Sequence, residues 1–392
     1  MKRNSDTIGT PLVALLTNND DDVFCFRLEL VQAILDNGFR ILISCPDGPK
    51  FSVLEAKYGL QKGRDFIYDN PKINRRGMNL FDDWQLIRHY KNVFQTYRPA
   101  IILTYTAKPN VYATLMATKM HIPVINNVTG FGSILKMGWL KRKIIMWLFR
   151  KAYRNSSCIM FQNQTNMQLA KQEGMITVES ILLPGSGVNT ERFPLLPYPE
   201  GGNGKSGEVV VFNYIGRVLK DKGIDDYIAA AKEIKKNYPN TEFNILGFIE
   251  PTECHYEKEL TQLTAEGIVY YRGAQDDVRP WIQRAHCIIH PSTYGEGMSN
   301  VLLENASSGR PIITTDNPGC KETVVNRQTG YIYSGNNVNE LKKVIELFLA
   351  LNNEVRSEMG KKGRKYIELH FSRNIVVNTY VKQVKKSLLE QY

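Results

Sequence analysis

The chain has 392 residues, and at roughly 100–200 residues per domain this length predicts two domains. Hydrophobic residues make up 43% and charged residues 23%, the balance of a globular protein that buries its cores without covalent staples. The formal net charge of +11 suits an anionic partner such as nucleic acid, nucleotide phosphates, a lipid pyrophosphate or an anionic membrane surface, or else a plainly basic surface.

The six cysteines include no CxxC pair, and most sit in apolar runs. That excludes a disulfide framework or a zinc site and predicts buried thiols in a reducing compartment. Met1–Pro11 is polar, and the apolar run Leu12–Leu16 is too short for a signal-peptide core. No stretch approaches the ~18 apolar residues of a spanning helix, so the expectation is a soluble protein or one that rests on a membrane without crossing it.

In chain order, Leu12–Thr17 predicts a strand, followed by a helix from Val23 to Asp36 that Gly38 stops. Further strands are expected at Arg40–Cys45, Phe66–Tyr68, Ala100–Thr104, Val124–Asn127 and Cys158–Phe161, with helices at Asp82–Thr96 and Asn110–Met120. This alternation predicts a parallel sheet covered on both faces. Pro194–Glu208 holds three prolines and four glycines and predicts a linker. The alternation then restarts, with strands at Val209–Ile215, Glu242–Leu246, Ile268–Tyr271, Cys287–His290 and Pro311–Thr315. Helices are expected at Ile224–Asn237, Val301–Ser308 and Asn339–Asn352, and the tail Ser372–Glu390 reads as an amphipathic helix. The expected domains are 1–197, 198–371 and a terminal helix 372–392 packing back on the first.

Two segments carry chemistry. From His290 to Gly309 a strand end leads through a Gly- and Ser-rich loop into a helix starting near Ser299. Uncapped amides and the helix dipole there favour phosphate, and Gly297 permits close approach of the backbone. Glu296 and Glu304 stand eight residues apart, and Glu304 lies among Val301, Leu302, Leu303 and Ala306, an odd place for a carboxylate without a partner. The second segment is Tyr214–Gly223. Gly216 allows a tight turn after a strand, and Arg217 and Lys222 place two cations near its end. Fixed cations there stabilise a departing diphosphate more than the bound substrate.

The Gly216-Arg217…Lys222-Gly223 loop, the Glu296…Glu304 pair, Gly185–Phe193, Pro291-Ser292 and Gly309–Ile313 together resemble the retaining glycosyltransferases of family four. The resemblance implies an α/β GT-B fold: two Rossmann-like domains facing across a cleft, acceptor side first, with the C-terminal helix crossing back. It implies that Arg217 and Lys222 hold the donor diphosphate, Glu296 the donor sugar and Glu304 the ribose. Gly297, Met298, Ser299, Asn300 and Val301 would offer amides to phosphate or sugar, and Arg272-Gly273-Ala274 would lie along the base. The donor would be a nucleotide-sugar, UDP-linked by family frequency, with no metal and no other cofactor required.

Thr106–Asn110 and Val128–Ser133 resemble enzymes that extend lipid-linked oligosaccharides, such as bacterial N-acetylgalactosaminyltransferases acting on undecaprenyl-diphosphate-linked sugars. This implies acceptor-side roles for Lys108, Asn127, Thr129 and Gly130, a lipid-linked glycan acceptor, and a place on the inner face of the cell membrane. The first strand–helix loop, Thr17–Asp22, departs from the glycine pair many members carry.

Residues 134–155 hold seven Lys or Arg and no acid, interleaved with Trp139, Ile144, Trp147 and Phe149. The pattern suits either a helix lying on an anionic membrane or a core helix with charged ends. Asp20, Asp21 and Asp22 read as a solvated loop before a helix, and the histidines lack zinc spacing. No GxGxxG opens the first domain, which counts against a dinucleotide cofactor. The basic residues match no nucleic-acid motif. The expected activity is therefore sugar transfer. The alternatives are a non-hydrolysing nucleotide-sugar epimerase and a non-catalytic nucleotide-sugar-binding paralogue.

Overall fold

A computed structural model describes residues 10–58, 65–74, 79–131, 134, 137–295 and 297–390. The chain divides into two compact units, Met1–Ser186 with Asn374–Tyr392, and Gly187–Arg373.

The first unit holds a seven-stranded parallel sheet of β1 (Leu12–Leu16), β2 (Arg40–Ser44), β3 (Phe66–Asp69), β4 (Ile101–Tyr105), β5 (Val124–Val128), β6 (Cys158–Phe161) and β7 (Ser180–Leu182). Their order is β3-β2-β1-β4-β5-β6-β7. Every residue of β1, β4 and β5 is buried, as expected of central strands covered on both faces. Side chains alternate between the faces. Val13, Leu15, Ile41 and Ile43 pack with Leu30, Val31, Tyr58 and Tyr380. Leu12, Ala14 and Leu16 pack on the other side with Leu86, Tyr90, Phe94 and Met116.

The predicted helix after β1 is two helices, Asp20–Phe26 and Leu28–Asp36, broken at Arg27. Arg27 leaves helical geometry at φ −128°, and its buried guanidinium lies 4.3 Å from the centre of the Tyr105 ring and 4.0 Å from Asp22. The helix expected from Asn110 opens instead with a π-helical turn, Pro109–Ala113, before Thr114–Lys119. The C-terminal helix Arg373–Leu389 returns to the first unit as the sequence predicts. There the Tyr380 hydroxyl accepts a 2.7 Å hydrogen bond from Asn127 Nδ2. Gln383 and Lys386 each donate to Glu179, at 2.8 Å.

The second unit carries a six-stranded parallel sheet of β8 (Val210–Ile215), β9 (Thr241–Leu246), β10 (Tyr270–Tyr271), β11 (Cys287–His290), β12 (Ile312–Thr315) and β13 (Gly330–Tyr333). Its order is β10-β9-β8-β11-β12-β13. Cys45, Cys158, Cys287 and Cys320 are buried, whereas Cys254 is exposed.

The segment Pro194–Glu208 differs from the expected linker. It belongs to the second unit, and the chain changes units at Ser186–Gly187 instead of at residue 197. Proline-rich backbone makes no internal hydrogen bonds, so its carbonyls are open to other donors. Buried Arg310 donates to Pro197 O and Ile282 O, both at 2.8 Å. Arg356 Nη1 donates to Gly202 O at 2.9 Å and Arg364 Nη1 to Phe193 O at 2.7 Å. Tyr198 and His286 complete the clamp: the tyrosine hydroxyl donates to His286 O at 2.7 Å, and His286 Nε2 lies 2.9 Å from Glu200 O.

Replacing Arg310 with Met removes the donor that ties Pro197 O to Ile282 O, at about 1.5–3 kcal/mol for each hydrogen bond to a charged group that is lost. Arg310→Met is therefore expected to lower the urea midpoint at unchanged m-value, while the exposed control Lys361→Met leaves it in place.

Candidate active site

In the second sheet β8 has β9 on one side and β11 on the other, so the connections reverse direction between β8 and β11. The carboxyl ends of two such strands leave a crevice that ligands occupy in open parallel sheets. The loop after β8 carries Gly216, Arg217 and Lys222, and the loop after β11 carries Tyr294 and Gly297. Both sequence-predicted segments therefore meet at this point of the fold.

The two loops are laced together. Thr293 N donates to Asp221 O at 3.0 Å. Gly223, with φ +76°, sits so close to Pro291 that an added Cβ would fall 2.1 Å from the proline carbonyl oxygen. Arg217 lies 5.6 Å and Lys222 5.0 Å from the centre of the Tyr294 ring, so one aromatic ring gathers both cations. Arg217 Nη1 also pairs with the buried Glu250 carboxylate. Burial pulls the Arg217 guanidinium down, but the hydrogen bond and charge of Glu250 outweigh it, holding Arg217 above its ordinary value. Gly216 N donates to Leu246 O at 2.9 Å, and the Tyr214 hydroxyl donates to Arg217 O at 2.7 Å, fixing the turn.

The loop after β11 is held from beneath. Thr315 Oγ1 donates to Ser292 O at 2.6 Å, Asn317 Nδ2 to Tyr294 O at 2.6 Å, and Ser299 N to Gly319 O at 2.8 Å. Met298 and Ser299 are buried, and Ser299 Oγ lies 3.3 Å from His290 Nε2. The helix Asn300–Ser307 begins with no side-chain cap, which leaves the amides of its first turn, including that of Val301, to the site. Glu304 follows in the second turn. It is half-buried, and among the described residues its carboxylate has no hydrogen-bond or ion-pair partner. Burial pushes its carboxyl up to about 7, against the pull of Arg192 and Arg373. Glu296 lies outside the described residues.

Gly273 comes to the β9 end through its carbonyl, which accepts from Gly247 N at 2.9 Å. The Arg272 side chain turns back along the sheet: Nε donates to Asn244 Oδ1 at 2.9 Å, and the guanidinium lies 4.9 Å and 5.4 Å from the Tyr270 and Trp281 rings.

In the first unit the predicted residues separate by role. Asn127 is 1% exposed, with Nδ2 on Tyr380, Oδ1 on Gln162 and its carbonyl on Asn110. It is a structural tie and has no open side for a ligand. Lys108 Nζ is paired with Asp83 at 2.7 Å. Thr129 and Gly130, after β5, are half-buried, and Gly132 and Ser133 lie outside the described residues. Thr106 ends β4 at φ +69°, an uncommon conformation for a β-branched residue. The aspartates after β1 are not a solvated loop. Asp20 is buried and accepts from Lys50 N at 2.7 Å, while Asp22 accepts from Thr17 Oγ1 at 2.8 Å. A helix N-terminus stabilises such carboxylates. No cluster of three His, Cys, Asp or Glu is placed to hold a metal among the described residues.

Sequence reasoning missed Glu250 and Tyr294. Glu250 stands just past β9, on the same edge as Arg217, and that placement was its available signal. Tyr294 lay inside the quoted motif, but its role depends on a neighbouring loop.

Residues 13–163 match the family described as Glycosyl transferase 4-like, and residues 201–366 match Glycosyl transferases group 1. The capsular polysaccharide biosynthesis glycosyltransferase CapM of Staphylococcus aureus is 27% identical, over 81% of this chain and 87% of its own. The N,N'-diacetylbacillosaminyl-diphospho-undecaprenol alpha-1,3-N-acetylgalactosaminyltransferase of Campylobacter jejuni is 22% identical, over 94% of this chain and 97% of its own. Among solved structures, Anabaena HepE in complex with UDP and glucose superposes with a TM-score of 0.75 at 16% identity, covering 96% of this chain and all (100%) of that one. Sucrose-phosphate synthase of Thermosynechococcus elongatus gives 0.78 at 16% identity, covering 97% and 100%. These neighbours establish the GT-B fold.

The Glu304 carboxyl sets a pH-dependent cost. An unfolded glutamate titrates near ~4.3, so between that pH and about 7 the folded chain keeps a proton the unfolded chain has lost. Stability therefore falls as pH rises through this window, and the fall is complete above it. Glu304→Gln lacks the fall. After allowance for the open side of Glu304, the variant is expected to exceed the parent by about 2 kcal/mol at pH 8 and by nothing at pH 4. Thermal melts across pH check this, and an equal gap at both ends contradicts it.

Proposed function

Because the chain is a glycosyltransferase, its halves belonging to the Glycosyl transferase 4-like and group 1 families, we propose that it moves a sugar from a nucleotide-diphosphate donor to a lipid-linked glycan with retention of configuration. The observation that carries the donor side is the convergence of Arg217 and Lys222 on the Tyr294 ring at the β8–β11 crevice.

The donor's diphosphate lies against Arg217, Lys222 and the first-turn amides of the helix Asn300–Ser307. Glu304 accepts from the ribose hydroxyls, Glu296 from the sugar, and the backbone of Arg272–Ala274 lines the base. An acceptor hydroxyl approaches the anomeric carbon on the face the diphosphate leaves. The new carbon–oxygen bond forms as the bond to the diphosphate breaks. The acceptor's proton passes to a leaving phosphate oxygen, giving the glycoside and a nucleoside diphosphate. No protein nucleophile is consumed, and the two cations take the part a metal ion plays elsewhere by neutralising charge that grows in the transition state. UDP as the nucleotide is supported by the HepE complexes, and a lipid-linked acceptor by the Campylobacter relative's substrate. Lys108, Thr129 and Gly130 remain the acceptor-side residues of this reading. The helix Trp139–Tyr153, within residues 134–155, rests on the anionic inner face of the membrane, where such an acceptor resides.

Truncating Arg217 alone would take from the buried Glu250 carboxylate a cation it pairs with, a folding cost unrelated to catalysis. The informative variant is therefore Arg217→Met with Glu250→Gln. It is expected to keep its melting temperature and lose about 10²–10³-fold in nucleoside diphosphate release, assayed with a lipid-linked glycan extract as acceptor. Near-parental release removes the mechanism. In the parent, release without any acceptor, or donor epimerised without one, would assign a different reaction.

A further inference from the structure

The first unit has a second exposed apolar cluster that the basic helix does not account for. Leu80, Phe81 and Trp84, at the start of the helix Leu80–Tyr97, are 54–87% exposed. The Phe81 and Trp84 rings stack at 6.2 Å, and Arg88 lies 5.6 Å from the Trp84 ring. On the helix Trp139–Tyr153, Trp139, Leu140, Ile144 and Trp147 are 49–69% exposed. Burying these side chains in water-poor surroundings is favourable, and singly scattered apolar residues do not form such groups.

Topology sets the two clusters on one surface. Both helices pack beside Pro109–Lys119, on the sheet face lined by Leu12, Ala14 and Leu16 and its continuation at Val128 and Ile159. A helix between parallel strands runs against them, so both N-termini stand at the carboxyl edge of the sheet. That edge also carries Thr106, Thr129 and Gly130.

Charge selects the occupant. The exposed side of the helix Trp139–Tyr153 and its C-cap carry Lys141, Lys143, Lys151 and Arg154, and the helix has no acid. Lys143 lies 4.8 Å from the Trp139 ring and Lys151 5.3 Å from that of Trp147, which joins each indole to a cation. The two acids near the other cluster are engaged: Asp83 with Lys108, and Asp82 with Asn74 at 3.3 Å. Indoles and lysines around apolar side chains match the headgroup boundary of an anionic bilayer.

We propose that Leu80, Phe81 and Trp84 form a second membrane footing beside the helix Trp139–Tyr153, and that the pair sets the carboxyl edge of the first sheet toward the lipid surface. This rests on the membrane reading of residues 134–155 and adds a separate contact to it. Two footings fix orientation, which a single helix free to roll does not.

The test is sedimentation of the full chain with phosphatidylglycerol or phosphatidylcholine vesicles. Phe81→Ser/Trp84→Ser and Trp139→Ser/Trp147→Ser are compared with the parent, with far-UV circular dichroism confirming each fold. The parent is expected to bind only the anionic vesicles, each double variant about tenfold more weakly. Three of the four tryptophans lie in the two clusters, so brominated lipid is expected to quench most of the intrinsic fluorescence. Parental binding by Phe81→Ser/Trp84→Ser overturns the second footing and leaves the first. A parent that ignores anionic vesicles overturns both. A parental dimer made monomeric by Phe81→Ser/Trp84→Ser gives the patch to a second copy and also overturns the proposal. None of these readouts involves sugar transfer, so their failure is distinct from failure of the transferase mechanism.

Discussion

Two positive charges gathered about one aromatic ring past the end of one strand are the constraint around which the second unit is arranged. Arg217 and Lys222 repel each other, and a folded chain keeps them together only by surrounding them with compensation. Glu250 supplies a buried counter-charge, and Tyr294 supplies the electron-rich face of a ring. Each comes from a different loop, so the β8, β9 and β11 ends must be in register before the cations can settle. The parallel pairing of β8 with both β9 and β11 provides that register.

The first unit solves a different problem at the corresponding edge. Its polar groups are mostly turned inward and satisfied. Asn126 bridges Thr104, Thr114 and Ser156, while Asn110 joins Thr104 to the Asn127 carbonyl. Such a network rigidifies the strand ends and offers little to a ligand. In the half that matches the group 1 transferases two cations are gathered about one ring at the strand ends. The other half contributes a shaped edge and exposed aromatic helices. That division suits the proposed reaction, in which one substrate is an anionic nucleotide and the other is tethered to lipid.

Much of this was legible in the sequence, for physical reasons. Central strands such as β1 and β4 are short apolar runs bounded by turns, and the Gly216–Gly223 and Pro291–Asn300 loops carry residue types that phosphate chemistry needs. What could not be read depends on distant partners. The helix Asn353–His370 was hidden by Gly360 and Gly363, which lower helix propensity. Gly360 is there because a Cβ would stand 2.0 Å from the Gly309 carbonyl oxygen. Pro194–Glu208 reads as a linker by composition, and only buried Arg310 and Arg356, far along the chain, make it part of a domain. Asn127 looked like a ligand contact, because its partner Tyr380 is 253 residues away.

That last separation bears on how the molecule is made. The second unit is encoded without interruption between Gly187 and Arg373, whereas the first is split around it. The first unit, begun earlier, must wait with Val13, Leu15 and Ile43 short of the cover that Val376, Tyr380 and Val384 provide. Its apolar sheet face is completed only by a segment encoded after the whole of the second unit, so the half that is started first is closed after the other has been written out.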